Sequence, residues 1–328
     1  MSRTGWIILI VCLCLVLCIC AGLFLAGRVA NSLFSGRESS DHSSVTQKYK
    51  DLKNPYSADG AYSVKADDLK ELDIDWISGS VKVELTDGDV IRFQETADRT
   101  ISEKDALRYG VSGGKLRIQA CKKNHRGKLP KKDLVVSLPR SLADALHVCK
   151  FDTVSASVSA AGLRLDELEV NTVSGKVALS DMIVDEVGID SVSGSVALLD
   201  SQAESLRIDS VSGKINVAGD MKKVKTSSVS GSMAYDLDSC RDIRANTVSG
   251  MVLLALRETP HELKIDTTSG EVNIALPTDA SCTINLDTMS GKLYLNDTAI
   301  ADKRLTLGEG SAEFDINSMS GNVCIRTK

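Results

Sequence analysis

The sequence predicts an all-β fold: a single-stranded β-solenoid with coils of about 19 residues, preceded by one N-terminal transmembrane helix. Three observations carry that reading. The pattern apolar–Ser–Gly–any–apolar recurs, centred on Gly79, Gly175, Gly194, Gly213, Gly231, Gly250, Gly270, Gly291 and Gly321, with a degenerate copy at Ala156. From Ala156 to Gly250 the copies follow one another at a nearly constant step of about 19 residues. The later steps, to Gly270, Gly291 and Gly321, grow progressively longer. Around each Ser-Gly, apolar and polar residues alternate, as in Leu206-Arg207-Ile208-Asp209 and Lys214-Ile215-Asn216-Val217. That is the period of a half-buried strand, not of a helix.

Composition fits a narrow array. Of 328 residues 43% are hydrophobic but only 4% aromatic, too few rings for a large globular core. A net charge of −5 gives no reason to expect nucleic acid as a partner. His42, His125, His147 and His261 are scattered. Cys12, Cys14, Cys18 and Cys20 lie in the first apolar stretch, and Cys121, Cys149, Cys240, Cys282 and Cys324 are widely spaced, without a CxxC pair. Neither a disulfide framework nor a zinc site is expected, and no cofactor.

In chain order, residues 1–28 read as a signal anchor. Trp6 to Gly27 is free of charge, and 22 residues at a rise of about 1.5 Å span the hydrocarbon layer. A cleaved signal peptide competes, but the run is long for one and no small-x-small cleavage site follows. We place the amino terminus inside and the repeats outside the cell, a single-pass membrane protein. Residues 29–60, polar and broken by Gly36, Pro55 and Gly60, read as a stalk. Residues 61–140 form an irregular β-region with strands at Leu72–Trp76, Val81–Leu85, Val90–Phe93, Lys115–Ile118 and Leu134–Pro139 and a short helical turn between Ser102 and Tyr109. Its loop from Lys122 to Lys132 carries six cations and reads as a solvated tip or a contact for phosphate-bearing polymers or headgroups. Residues 141–328 are the regular repeats, and the interruption from Asn296 to Ser311 before the last repeat reads as a C-terminal cap on an open edge.

Aligned on the repeats, the columns have separate expectations. Thr153, Thr172, Ser191, Ser210, Ser228, Thr247, Thr267, Thr288 and Ser318 precede the motif Ser by two, and both hydroxyl rows are expected to face inward. The glycines Gly175, Gly194, Gly213, Gly231, Gly250, Gly270, Gly291 and Gly321 are expected to supply a positive-φ turn or bulge. An outward Asx row, including Asp190, Asp209, Asp266 and Asp287, either caps backbone amides or forms weak Ca²⁺ sites. Strict alternation places the Val row before the Ser (Val154 to Met319) outside, as an apolar stripe suited to docking, whereas a bulge at the preceding residue turns it in; of the two, the inward placement is the one expected. No column has the makings of a catalytic site: no Gly-x-Ser-x-Gly occurs and no His recurs beside the Ser.

The run Thr172–Val177, Ser191–Val196, Ser210–Ile215 and Ser228–Met233, preceded by the strand ending Leu138-Pro139-Arg140, resembles the bacterial DUF4097 family of adhesin-like proteins, which includes the LiaG type of envelope-stress systems. The likeness covers roughly residues 70–328. It implies a non-enzymatic surface β-solenoid behind a membrane anchor, with cell-wall polymers or other envelope proteins as partners. The alternatives are a self-assembling scaffold and, less favoured, a carbohydrate-active β-helix enzyme, which would need carboxylates and aromatics on long loops.

Overall fold

The computed structural model describes residues 56–57, 59–65, 68–122, 125, 129–142 and 144–328. The expected anchor, most of the expected stalk, and Lys123, Arg126 and Lys128 of the basic loop lie outside the described residues. Among the described residues no helix is long and apolar enough to cross a membrane. The described structure is all-β, its single helical element being a 3-10 turn at Arg140–Leu142. It packs as two compact units that divide between Val184 and Asp185.

The unit before the division contains β1 (Ala61–Lys65), β2 (Glu71–Thr86), β3 (Val90–Ala97), β4 (Arg108–Ser112), β5 (Lys115–Gln119), β6 (Lys132–Pro139), β7 (Val148–Ala161), β8 (Arg164–Thr172) and β9 (Val177–Ser180). Two strands expected around Gly79 are one continuous β2, since the chain runs through Gly79 without turning. β2 is parallel to β7, in register from Glu71↔Val148 to Val83↔Ala160. Its other edge takes β5 and then β6, again parallel. The first repeat in sequence is therefore internal, paired on both edges. β4 on β5, β3 on β6 and β1 on β3 are antiparallel and cover the parallel edge that β5 and β6 would otherwise expose. On the other side β7 leads to β8 and β9 at the expected repeat step, Val148↔Glu167 and Val158↔Val177. The turn expected after Ser102 is present, closed by Asp105 and Ala106 amides on the Ser102 carbonyl.

β10 (Ile183–Ser191) crosses the division. After it come β11 (Val196–Ser210), β12 (Ile215–Ser228), β13 (Met233–Thr247), β14 (Val252–Leu256), β15 (Glu262–Thr267), β16 (Val272–Leu276), β17 (Cys282–Thr288), β18 (Leu293–Leu295), β19 (Thr298–Ile300), β20 (Arg304–Leu307), β21 (Ala312–Ser318) and β22 (Val323–Thr327). The early pairings follow the sequence period: Val196↔Ile215, Ile215↔Met233, Met233↔Val252 and Val252↔Val272. The last coil does not. β21 lies between β15 and β17, and β22 between β16 and β18, all parallel. The C-terminal repeat is thus inserted, and the repeat of β17 and β18 is the outer one. Its edge carries the antiparallel strands β20 and β19, so the segment 296–311 covers an edge while the final repeat does not.

Inward columns stack identical environments. Leu206, Val224, Ile243, Leu263, Phe314 and Ile284 share one row in that spatial order, and all are buried. The polar Thr226 in the neighbouring row is bonded to the Tyr235 hydroxyl, so its burial leaves no orphan.

Candidate functional site

Each regular repeat turns at its Ser-Gly, and the turn is built from three residues. The hydroxyl of Thr172, Ser191, Ser228, Thr247, Thr267, Thr288 or Ser318 accepts the N–H of the glycine three residues on, at 2.7–3.0 Å. This satisfies an amide that the turn removes from the ladder. The motif Ser faces out instead of in: Ser155, Ser174, Ser230, Ser249, Ser269 and Ser290 donate to a carbonyl of the neighbouring coil at 3.1–3.5 Å. The bend at the corner breaks the two-residue alternation on which the inward expectation rested. The Val row points outward, half-buried, as strict alternation with the buried hydroxyl row requires and against the inward expectation, which rested on a bulge; it ends at Met289, which is 65% exposed. From 185 onward the corners follow one another as Val192, Val211, Val229, Val248, Thr268, Met319 and Met289, a ridge of mostly apolar groups, half-buried up to the exposed Met289, beside mostly exposed hydroxyls.

The glycines are needed for space more than for φ. A β-carbon on Gly175, Gly213, Gly231, Gly250, Gly270, Gly291 or Gly321 would stand 1.8–2.4 Å from the corner carbonyl of the adjacent coil, while only Gly79 and Gly213 of the motif have positive φ. Gly194 donates to Ser191 in the same way as the others. Besides Gly213, positive φ recurs in the repeats at a second corner the sequence reading missed, Gly162, Asp181, Asp200 and Gly219, evenly spaced at the repeat period. Gly and Asp tolerate that conformation, and the recurrence of either at one period was the available signal.

Of the Asx row, Asp190, Asp209 and Asp266 are half-buried and Asp287 exposed. The structure does not set Asp209, Asp266 and Asp287 against one another. Ser227 and Asn246 separate Asp209 from Asp266, and Asn317 separates Asp266 from Asp287. The Asn317 amide donates to Asp266 at 2.7 Å, and the Asn171 amide to Asp152 at 2.9 Å. Carboxylate and amide thus bond from coil to coil.

Among the described residues one acidic group could converge on an ion: Asp73, Asp75 and Asp152, with carboxylate oxygens within 4.8 Å of one another. It belongs to a charged sheet face. Across β5, β2, β7 and β8 one row reads Arg117, Asp73, Lys150, Glu169, with alternating sign. Lys115 binds Glu71 at 2.5 Å and Asp73 at 2.8 Å, and Arg117 binds Asp75 at 2.6 Å.

Lys132 corrects the reading of the basic loop. It begins β6 and is 2% exposed. Its ammonium donates to Glu95 at 2.8 Å and to the Asp105 and Ala120 carbonyls, 5.0 Å from the Trp76 ring centroid. Burial pushes its pKa down against the pull of Glu95. Glu95 also accepts the Leu107 amide at 2.9 Å, so the pair fastens β3, β6 and the 102–107 turn. Lys122 and Lys131 are exposed. The described cysteines are free thiols; burial pushes Cys240 up to about 12 and Cys282 to about 11, which leaves them un-ionised and packed as small apolar groups.

No curated protein matches the chain. Among solved structures, a candidate lipid-binding protein from Parabacteroides distasonis ATCC 8503 has a TM-score of 0.51 at 18% identity, over 82% of this chain and 96% of that one. A candidate adhesin from Bacteroides fragilis NCTC 9343 has a TM-score of 0.40 at 10% identity, over 82% and 96%. The first likeness concerns fold alone. The profile of the Toastrack DUF4097 family matches residues 69–326, the span that holds every repeated Ser-Gly corner, and the chain belongs to the DUF4097 family.

Proposed function

We propose that this chain is a non-enzymatic cell-surface protein, held by a single-pass anchor at 1–28, whose coils wind as a β-solenoid and serve as an adhesin-like interaction module. The observation that carries the reading is the Ser-Gly ridge. Half-buried Val and Met side chains and exposed Ser hydroxyls repeat at coil spacing on an outward corner, a periodic surface suited to a periodic partner such as a cell-wall polymer or to another envelope protein. Parallel pairing at steps close to the sequence period supports the solenoid winding, and membership in the family supports a binding role over a catalytic one. Antiparallel β19 and β20 on the outer edge weigh against a self-assembling scaffold grown from that end. A row of weak Ca²⁺ sites at Asp190, Asp209, Asp266 and Asp287 is the lesser reading of the Asx row, since Ser227 and Asn246 separate Asp209 from Asp266 and Asn317 separates Asp266 from Asp287; whether millimolar Ca²⁺ raises the melting temperature tests it.

The decisive experiment places an epitope in the exposed turn at Asp302 and asks whether antibody labels intact cells, followed by co-sedimentation of the protein with purified cell walls. Surface labelling and retention by walls are expected. Labelling seen only after permeabilisation reverses the orientation and removes the adhesin-like role.

A further inference from the structure

Among the register partners of the charged face like charges oppose each other only once. The third row reads Gln119, Asp75, Asp152, Asn171, and there two carboxylates are direct register partners across β2 and β7. Like charges directly opposite destabilise a sheet, and this pair has little water to screen it, Asp75 being 1% exposed. Asp75 Oδ2 accepts from Arg117 at 2.6 Å and from Gln119 at 2.8 Å. Asp75 Oδ1, fully buried, has no hydrogen-bond partner. Asp152 Oδ1 is taken by the Asn171 amide, which leaves its other oxygen for Asp75.

We propose that Asp75 and Asp152 share one proton, making the β2–β7 join a pH-responsive latch. Asp152 carries the proton and donates it to the orphaned Asp75 oxygen, and Asp75 remains the carboxylate that Arg117 requires. The assignment follows from the neighbours. Asp75 faces Arg117 directly, with Lys115 and Arg117 also on Asp73. Asp152 faces Asp75, Asp73 and Glu169, and the one cation beside it on β7, Lys150, is engaged by Glu167 and Glu169. Glu71 is held by Lys115. Burial first, and then the Asp75 charge, push the Asp152 carboxyl up to about 6. A metal ion is the weaker occupant, because Lys115 and Arg117 already neutralise two of the three carboxylates.

The sign is fixed by linkage. A folded pKa of about 6 against an ordinary 3.8 means that folding takes up a proton. The contribution to stability is complete below about pH 4 and is lost as pH rises through 6, where both carboxylates must ionise. The loss amounts to about 100-fold in the folding equilibrium constant, since the pKa rises by about two units and one unit of pKa is tenfold.

The test compares the full-length chain with D152N, both in detergent, by thermal melts and by hydrogen exchange at the β2 and β7 amides from pH 4.5 to 7.5. The side-chain amide of D152N can donate to Asp75 without a titrating proton. The wild type is expected to lose stability and β2–β7 protection relative to D152N as pH rises. A gap that does not change with pH overturns the latch. So does a melting temperature that millimolar Ca²⁺ or Mg²⁺ raises at pH 7.5 in the wild type and leaves unchanged in D152N, which would assign a cation in place of the proton. Should D152N not fold, carbon-13 titration of the wild-type carboxyls decides: one of the pair titrating near pH 6 supports the latch, and both below pH 4.5 overturn it.

Discussion

A β-carbon on Gly250 would stand 1.9 Å from the Gly231 carbonyl oxygen, with backbone behind it that cannot move aside. Gly250→Ala should therefore destabilise the protein by at least about 1–3 kcal/mol in urea unfolding. Gly188→Ala should do the opposite, stabilising by about 0.4–1 kcal/mol, because nothing lies within 4 Å and its φ is not left-handed. The hydroxyl row separates in the same way. Thr247 Oγ1 holds the Gly250 amide at 3.0 Å, so Thr247→Val strands a buried donor and should cost about 1–3 kcal/mol. Thr153 Oγ1 has no partner, because Ala156 replaces the glycine and β7 runs straight through that corner. Thr153→Val should be neutral or stabilising in the same melts. Ser210, whose hydroxyl is also without a partner, precedes Gly213, the motif glycine of the regular repeats with positive φ. The sequence marks these hydroxyls as a row, but which of them is bonded depends on the backbone conformation at a glycine, which composition does not report.

At the scale of elements, the period was legible and the order was not. The near-constant steps between Gly194 and Gly270 map directly onto the pairings from β11 to β16. The longer steps beyond Gly270 do not, since Val272 pairs with Val323 of the final repeat, and Leu293 of the intervening one lies on the far side of Val323. A repeat motif specifies what a coil's edges accept, and identical edges accept any coil of the same kind; chain order is then decided by the loops. Face assignment failed at the corner: alternation predicts Ile208 and Thr247 inward and the Val row outward correctly but breaks after it, so the motif Ser reverses, while the inward expectation for the Val row failed because it rested on a bulge. The charged face at β2 and β5 was missed because Asp73, Arg117 and Lys150 are distant in sequence and come together only through the pairings Asp73↔Arg117 and Asp73↔Lys150. The same limit hid Lys132, which the sequence places in a basic loop. As a buried ammonium bonded to Glu95, it should be costly to truncate: Lys132→Met is expected to lose about 3–5 kcal/mol by leaving Glu95 charged and unpaired. Adding Glu95→Gln should restore part of that, since the amide oxygen still accepts the Leu107 N–H. A double mutant no more stable than Lys132→Met would show that the charge itself is not what the site must neutralise.

Across the whole chain, both terminal repeats of the described structure are internal to their units. β2 is paired by β7 on one edge and by β5 and β6 on the other, and the β21–β22 coil is paired on both edges by earlier parts of the chain. A terminal coil laid on the end of a stack has one ladder and frays; an inserted one has two, and its removal leaves two parallel edges unpaired. Deleting residues 312–328 separates these cases. Were the last repeat an end cap, the deletion would lower protection only in its single neighbour and leave the rest of the unit intact. With β21 between β15 and β17, and the Asn317 amide on Asp266, the deletion removes the partner of both coils at once. We expect amides of β15, β16, β17 and β18 to lose protection together in hydrogen exchange, with concentration-dependent association through the exposed edges. Protection lost in β17 and β18 alone, with β15 and β16 unchanged, would contradict the inserted arrangement.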